Sequence, residues 1–337
     1  MSWFKKILDA ARGIVVKEGE DYVLEELTTV NNVTAPPVDL VPDEDYVTIE
    51  VRSSRIVAVR KWTGKFYSSV QSRVSYLHDR AGQVELQQVI VPKLGELDVL
   101  NVDRFIVVDK PVVGPVPYKG RLSMELGLFS VKGGDLAGSY LELLDSLASV
   151  SGVSFLSAAR PYIEPLKKGA DLLFGNSNQS TLEVGLDKTW DQLRTGTWVL
   201  IRGPKGKVDV SQIRLDSEDG KITDTKGNPY KDYPYVVFRI RRSRQRADWM
   251  LIPELKEGWE AIRAAVQSGQ SNEAEVRMKN FIQLARWSAD LVPEDAKRLA
   301  DKARSTMGLI QPQEAIASIR APFPSLEALA LYPEQVQ

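Results

Sequence analysis

The chain contains no cysteine. That excludes disulfides, thiolate nucleophiles and sulfur-ligated zinc, and it fits a reducing compartment. Histidine is almost as scarce, with His78 alone. A Ser-His-Asp arrangement would have to use it as base, and no Gly-x-Ser-x-Gly elbow supplies a nucleophile. Because His78 precedes Asp79-Arg80-Ala81-Gly82, it reads as an ordinary residue of a hairpin turn. The N-terminus lacks an apolar core followed by a small-residue cleavage site, and no eighteen-residue apolar window occurs. A cytoplasmic protein with neither membrane span nor secretory signal is expected. Charge is lacking in the net: 44 basic residues against 45 acidic leave −1, so no global field steers the chain onto nucleic acid or an anionic surface.

Cofactor signatures are missing as well. Gly203-Pro204-Lys205-Gly206-Lys207 departs from the phosphate-loop frame and no helix pattern follows it. The acidic stretch Asp216-Ser217-Glu218-Asp219-Gly220 fails as a calcium loop, because Leu215 and Ser217 stand where acidic or amide ligands belong. The expectation is therefore no cofactor, no metal and no catalytic residue, and a protein that is more an interaction partner than an enzyme.

The 337 residues, 43% hydrophobic and 26% charged, suit about two globular domains. The fold class expected is α+β: a predominantly antiparallel β sandwich or barrel-like domain with an inserted helical hairpin, then a C-terminal all-helical domain. The divisions are 1–45, an amphipathic helix and Pro-rich connector; 46–246, the β-rich domain; 247–310, the helical domain; and 311–337, an apolar, Pro-containing tail.

Period-two alternation carries the β assignment. Val47, Ile49 and Val51 alternate with Thr48, Glu50 and Arg52, and similar runs begin near residues 22, 65, 83, 103, 122, 181, 197 and 235. Lys110 to Pro117 holds three prolines and reads as a prolyl loop or a sheet edge. Glu218-Asp219-Gly220 is a hairpin signal between 208–215 and 221–224. Two related runs, Met124-Glu125-Leu126-Gly127-Leu128 and Leu182-Glu183-Val184-Gly185-Leu186, enclose the helical insertion at 135–175, whose stripe Leu136, Tyr140, Leu143, Leu144 and Leu147 is expected to pack on a sheet. Gly127 and Gly185 would then lie inside strands, marking a bulge or a close backbone approach.

Beyond residue 253 the period becomes 3.6. Trp259, Ile262 and Val266 mark one helix; Val276, Phe281, Leu284 and Ala285 are taken as the apolar face of a second; Pro293 opens a third through Leu299 and Ala303. In the tail, Pro322, Phe323, Pro324, Leu326, Leu329 and Leu331 form an apolar set suited to docking.

Two groups remain as candidate sites. Trp3, Phe4, Ile7 and Leu8 share one helical face beside Lys5 and Lys6, a pattern suited to docking a partner or lying on a membrane surface. Arg239, Arg241, Arg242, Arg244 and Arg246 place five guanidinium groups in eight positions, suited to an anionic ligand or partner, nucleic acid included, or to ion pairs within the protein. On a continuing strand, Arg239 and Arg241 share one face and the other three share the opposite one. The reading preferred is a non-catalytic adaptor, interaction module or regulated effector with a protein partner. Peripheral membrane contact and nucleic-acid binding are the alternatives, the latter not favoured.

Overall fold

A computed structural model describes residues 20–27, 36–57, 66–79, 82–90, 105–132, 180–216 and 220–308. The chain divides into two compact units, one of Met1–Pro42 with Val47–Arg242, the other of Asp43–Tyr46 with Ser243–Gln337. No closed barrel forms among the described residues; the first unit is built of open sheets, and a helical region lies in the second.

Among the described residues the strands are β1 (Glu20–Glu26), β2 (Tyr46–Arg55), β3 (Phe66–His78), β4 (Gly82–Ile90), β5 (Phe105–Pro117), β6 (Leu122–Lys132), β7 (Ser180–Trp190), β8 (Gly196–Pro204), β9 (Ile213–Leu215), β10 (Ile222–Asp224) and β11 (Tyr235–Ser243). One sheet runs β1-β8-β11-β2-β5, a second β4-β3-β6-β7, and β9 pairs with β10. The pairs β1–β8, β8–β11, β3–β4, β3–β6, β6–β7 and β9–β10 are all antiparallel.

Alternation explains why the two larger sheets share one core. Val47, Ile49 and Val51 of β2 and Val236, Phe238 and Ile240 of β11 belong to the same buried cluster as Val70 and Val74 of β3 and Met124, Leu126 and Leu128 of β6. Each such side chain, fully buried, contributes on the order of 1.5–3 kcal/mol. The opposite face of the first sheet is also buried: Val199, Ile201, Tyr235 and Val237 pack with Ile213, Leu215 and Ile222 of the β9–β10 hairpin. Gly220, at φ 68°, serves the turn of that hairpin, as an Asp-Gly signal requires.

The two glycine-bearing runs are direct neighbours. Gly127 lies opposite Gly185, and two residues on the register shifts so that Phe129 faces Leu182. A Cβ on Gly127 would stand 2.6 Å from the Phe129 ring, so the close approach is made by an aromatic side chain. The helical insertion expected at 135–175, with its Leu136 to Leu147 stripe, lies outside the described residues.

Of the two readings of the prolyl run 110–117, loop or sheet edge, the edge holds: the run continues β5, which sits at the end of its sheet, where a missing N–H costs no ladder bond. One local expectation needs correcting. His78 is the last residue of β3, paired with Gly82 and buried, not a residue of the turn itself. In the connector before β2, Asp45 is fully buried and Leu40 lies in the core, its N–H donating to the Leu193 carbonyl at 2.9 Å.

The second unit contains α1 (Pro253–Gln267), α2 (Ser271–Trp287) and α3 (Pro293–Gly308). Pro253 and Pro293 occupy first-turn positions, where proline's missing N–H is harmless. Trp249, in a 3₁₀ turn, Trp259 and Phe281 meet edge to face with centroids 5.2–5.9 Å apart, a geometry that adds to their burial. At the start of α3 the fully buried Asp295 accepts from the Tyr46 hydroxyl at 3.0 Å, the Arg246 N–H at 2.8 Å and Arg298 Nε at 2.6 Å. The Tyr46 oxygen in turn accepts from the Val292 N–H at 2.9 Å.

Candidate functional site

The arginine run is distributed over two environments. β11 ends at Ser243, so the shared face anticipated for Arg242, Arg244 and Arg246 does not form: Arg242 remains in the strand while Arg244 and Arg246 lie beyond it. Arg239 and Arg241 do share a face, and both reach the carboxylate of Glu50 on β2, Arg239 at 2.8 Å. Arg244 approaches Glu44 at 3.5 Å and Asp45 at 3.8 Å. Arg246 is completely buried; its Nε donates to Asp248 at 3.0 Å and its Nη1 to the Asp290 carbonyl at 3.2 Å. A cation so placed is held by its partners and presents no guanidinium edge to solvent.

Burial also sets the chemistry of the phenol beside it. Tyr46 titrates well above its ordinary value because desolvation disfavours the phenolate and the Asp295 charge opposes it further. The group is thus a hydrogen-bonding post, and its position on the first residue of β2 gives it no reach to solvent.

His78 is buried at the end of β3. Among the described residues, no group of three or more His, Asp or Glu could hold a metal ion. Among the same residues, no helix is long and apolar enough to cross a membrane. The docking candidates Trp3, Phe4, Ile7 and Leu8 lie outside the described residues. No family model matches the chain, and no curated protein or solved structure is significantly similar to it.

The feature that sequence periodicity mis-sorted is on α2. Val276 and Leu284 had been grouped with Phe281 and Ala285 as one apolar face, but the helix buries Ala274, Phe281, Ile282 and Ala285 and leaves Val276 and Leu284 outside. Val276 is 55% exposed, Leu284 40% and Trp287 69%. At roughly 100° per residue, Val276, Asn280, Leu284 and Trp287 fall within about 80° of arc. Val276, Asn280 and Trp287 lie on the exposed side of the helix, and Leu284 stands at its rim, with Cδ1 3.0 Å from a Cβ built on Gly258 of α1. Trp287 is oriented on that side by a hydrogen bond from Nε1 to Gln283 at 3.2 Å. Ion pairs Glu273–Arg277 at 2.9 Å and Glu275–Lys279 at 2.7 Å lie along the same helix. Polar groups beside an exposed aromatic anchor are the usual anatomy of a contact face. The signal was in the sequence: a helix with apolar residues at 276, 281, 284 and 287 carries more of them than one buried side accommodates.

Proposed function

We propose that the protein is a non-catalytic interaction module, an adaptor or regulated effector, whose helical unit offers the exposed side of α2 to a protein partner. The observation that carries this reading is Trp287, a large side chain 69% exposed and in line with exposed Val276 and Leu284. An exposed tryptophan costs solubility unless a partner covers it, and tryptophan is enriched among residues that dominate binding energy. The pairing of Arg239 and Arg241 with Glu50, and the burial of Arg246, support this reading over an anionic ligand held by the run.

Affinity capture from the native cell with the full chain, run side by side with Trp287→Asp, tests it. A partner retained by the parent chain should fall at least tenfold with the variant, at unchanged melting temperature. Capture that is identical for both chains, or turnover of a substrate by the purified protein, would overturn it.

A further inference from the structure

The apolar set of the tail, Pro322 to Leu331, lies outside the described residues. Within them, the face of the first unit that carries the β9–β10 hairpin also carries a row of tyrosines. Tyr230 stands 6.2 Å from Tyr235 and 6.4 Å from Tyr233, centroid to centroid, with the rings inclined at 54° and 56°. Tyr235 is buried, whereas Tyr230 and Tyr233 are half-buried and pack with Val208 and Val210 against the cluster beneath. We infer that this row is a docking groove for an extended, proline-rich segment of a partner protein, one whose acidic residues lie on Lys205 and Lys207. It is separate from the α2 face and does not depend on it.

Three observations carry it. The first is shape. A Cβ on Gly203 would stand 2.6 Å from Val208 and 3.2 Å from the Tyr233 ring, so those two side chains close over bare backbone as one apolar surface. Rings inclined at 56° leave a wedge between Tyr230 and Tyr233. A wedge suits a pyrrolidine ring, whereas successive stacked bases need faces nearly parallel.

The second is hydrogen bonding. The hydroxyls of Tyr230 and Tyr233 have no hydrogen-bond partner among the described residues. Burial, reinforced by Asp232 and Tyr233, holds Tyr230 protonated well above the ordinary phenol range, so it remains a donor. A polyproline II segment makes no internal hydrogen bonds, and its carbonyls are the acceptors those hydroxyls lack.

The third is charge. The turn between Gly203 and Val208 presents Lys205 and Lys207, both exposed and without an ion pair among the described residues. Of the carboxylates alongside, Asp209 caps its own 3₁₀ turn, accepting from the Ser211 N–H at 3.0 Å and from its hydroxyl at 2.6 Å. With Lys231 also exposed, cations outnumber carboxylates along the row, and Asp232 is the remaining acid.

Fluorescence polarisation on the full chain tests this with a labelled oligoproline peptide ending in glutamates. Its controls are the same peptide ending in lysines and a glycine-serine peptide ending in glutamates. The first peptide should bind roughly tenfold tighter than either control. Lys205→Glu with Lys207→Glu should reverse the preference for glutamate over lysine ends, and Tyr233→Phe should weaken binding about threefold, both at unchanged melting temperature. Trp287→Asp should leave the affinity as it is. No saturable binding at millimolar peptide, equal binding of the three peptides, or indifference to both groove variants would overturn the inference. So would weakening by Trp287→Asp, or tighter binding of a single-stranded oligonucleotide.

Discussion

Arg241 and Arg246 stand five positions apart in one arginine run and occupy opposite environments. The first has a side chain 53% exposed and shares Glu50 with Arg239; the second is completely buried among Asp248, the Asp290 carbonyl and the Asp295 it approaches through its own N–H. Identical chemistry therefore carries different energies. A surface pair is worth about 0–1 kcal/mol after screening and side-chain entropy, whereas stripping a buried charge of its partner costs about 3–5 kcal/mol. The difference shows why a count of arginines says little about a ligand until the depth of each is known.

The comparison breaks most visibly at its buried end. Asp295→Ala, which removes the buried acceptor of the Tyr46 hydroxyl, the Arg246 backbone N–H and Arg298 Nε, should cost about 3–5 kcal/mol in urea unfolding of the full chain. An effect below about 1 kcal/mol would mean the cluster is far wetter than its burial states. Tyr46→Phe keeps the ring but removes the bridge between Asp295 and the Val292 N–H, for an expected loss of about 1–3 kcal/mol. The same phenol gives a pH dependence. Its folded value is raised above the ordinary 10.0, so its contribution is fully present below pH 10 and is lost as pH rises beyond that; the parent chain should lose more stability between pH 9 and 11 than Tyr46→Phe does.

Gly127→Ala probes the apolar counterpart of that burial. Its Cβ would meet the Phe129 ring at 2.6 Å, and overpacking of this kind costs about 1–3 kcal/mol. Restoration of stability by Phe129→Leu in the double variant would identify the clash as the cause. At the surface end, Arg241→Ala should change stability by no more than about 1 kcal/mol, since Arg239 remains on Glu50. The smallest effect belongs to Trp287→Asp, within about 0.5 kcal/mol, because that side chain is largely exposed.

The strand order of the sheets was not readable, but the strands themselves were. Period two located β2, β3 and β6 within a few residues, short apolar runs located β8 and β11, which are buried on both faces, and the Asp-Gly signal marked the β9–β10 hairpin through the φ its glycine must adopt. The proline run left loop and edge both open, and β5 at the end of its sheet decides for the edge, where a missing N–H breaks no ladder bond. On α2 the expected face holds in part: Phe281 and Ala285 are buried, Leu284 lies at the rim with Cδ1 3.0 Å from a Cβ built on Gly258 of α1, and Val276 is exposed, a sorting that only packing against α1 decides. The burial of Arg246 left no trace in the sequence. Its partners lie 2, 44 and 49 residues away, and no local window contains them all.

Tyr46 extends that separation furthest. It leaves the ribosome early, yet its acceptor Asp295 is encoded 249 residues later. At synthesis rates of 5–20 residues per second, the acceptor follows roughly 12–50 s behind. During that interval the four residues Asp43–Tyr46 belong to a unit whose other residues, from Ser243 on, are still to be made. A chain halted before α3 would thus carry Tyr46 without the Asp295 carboxylate and the Val292 N–H that its hydroxyl meets in the folded protein.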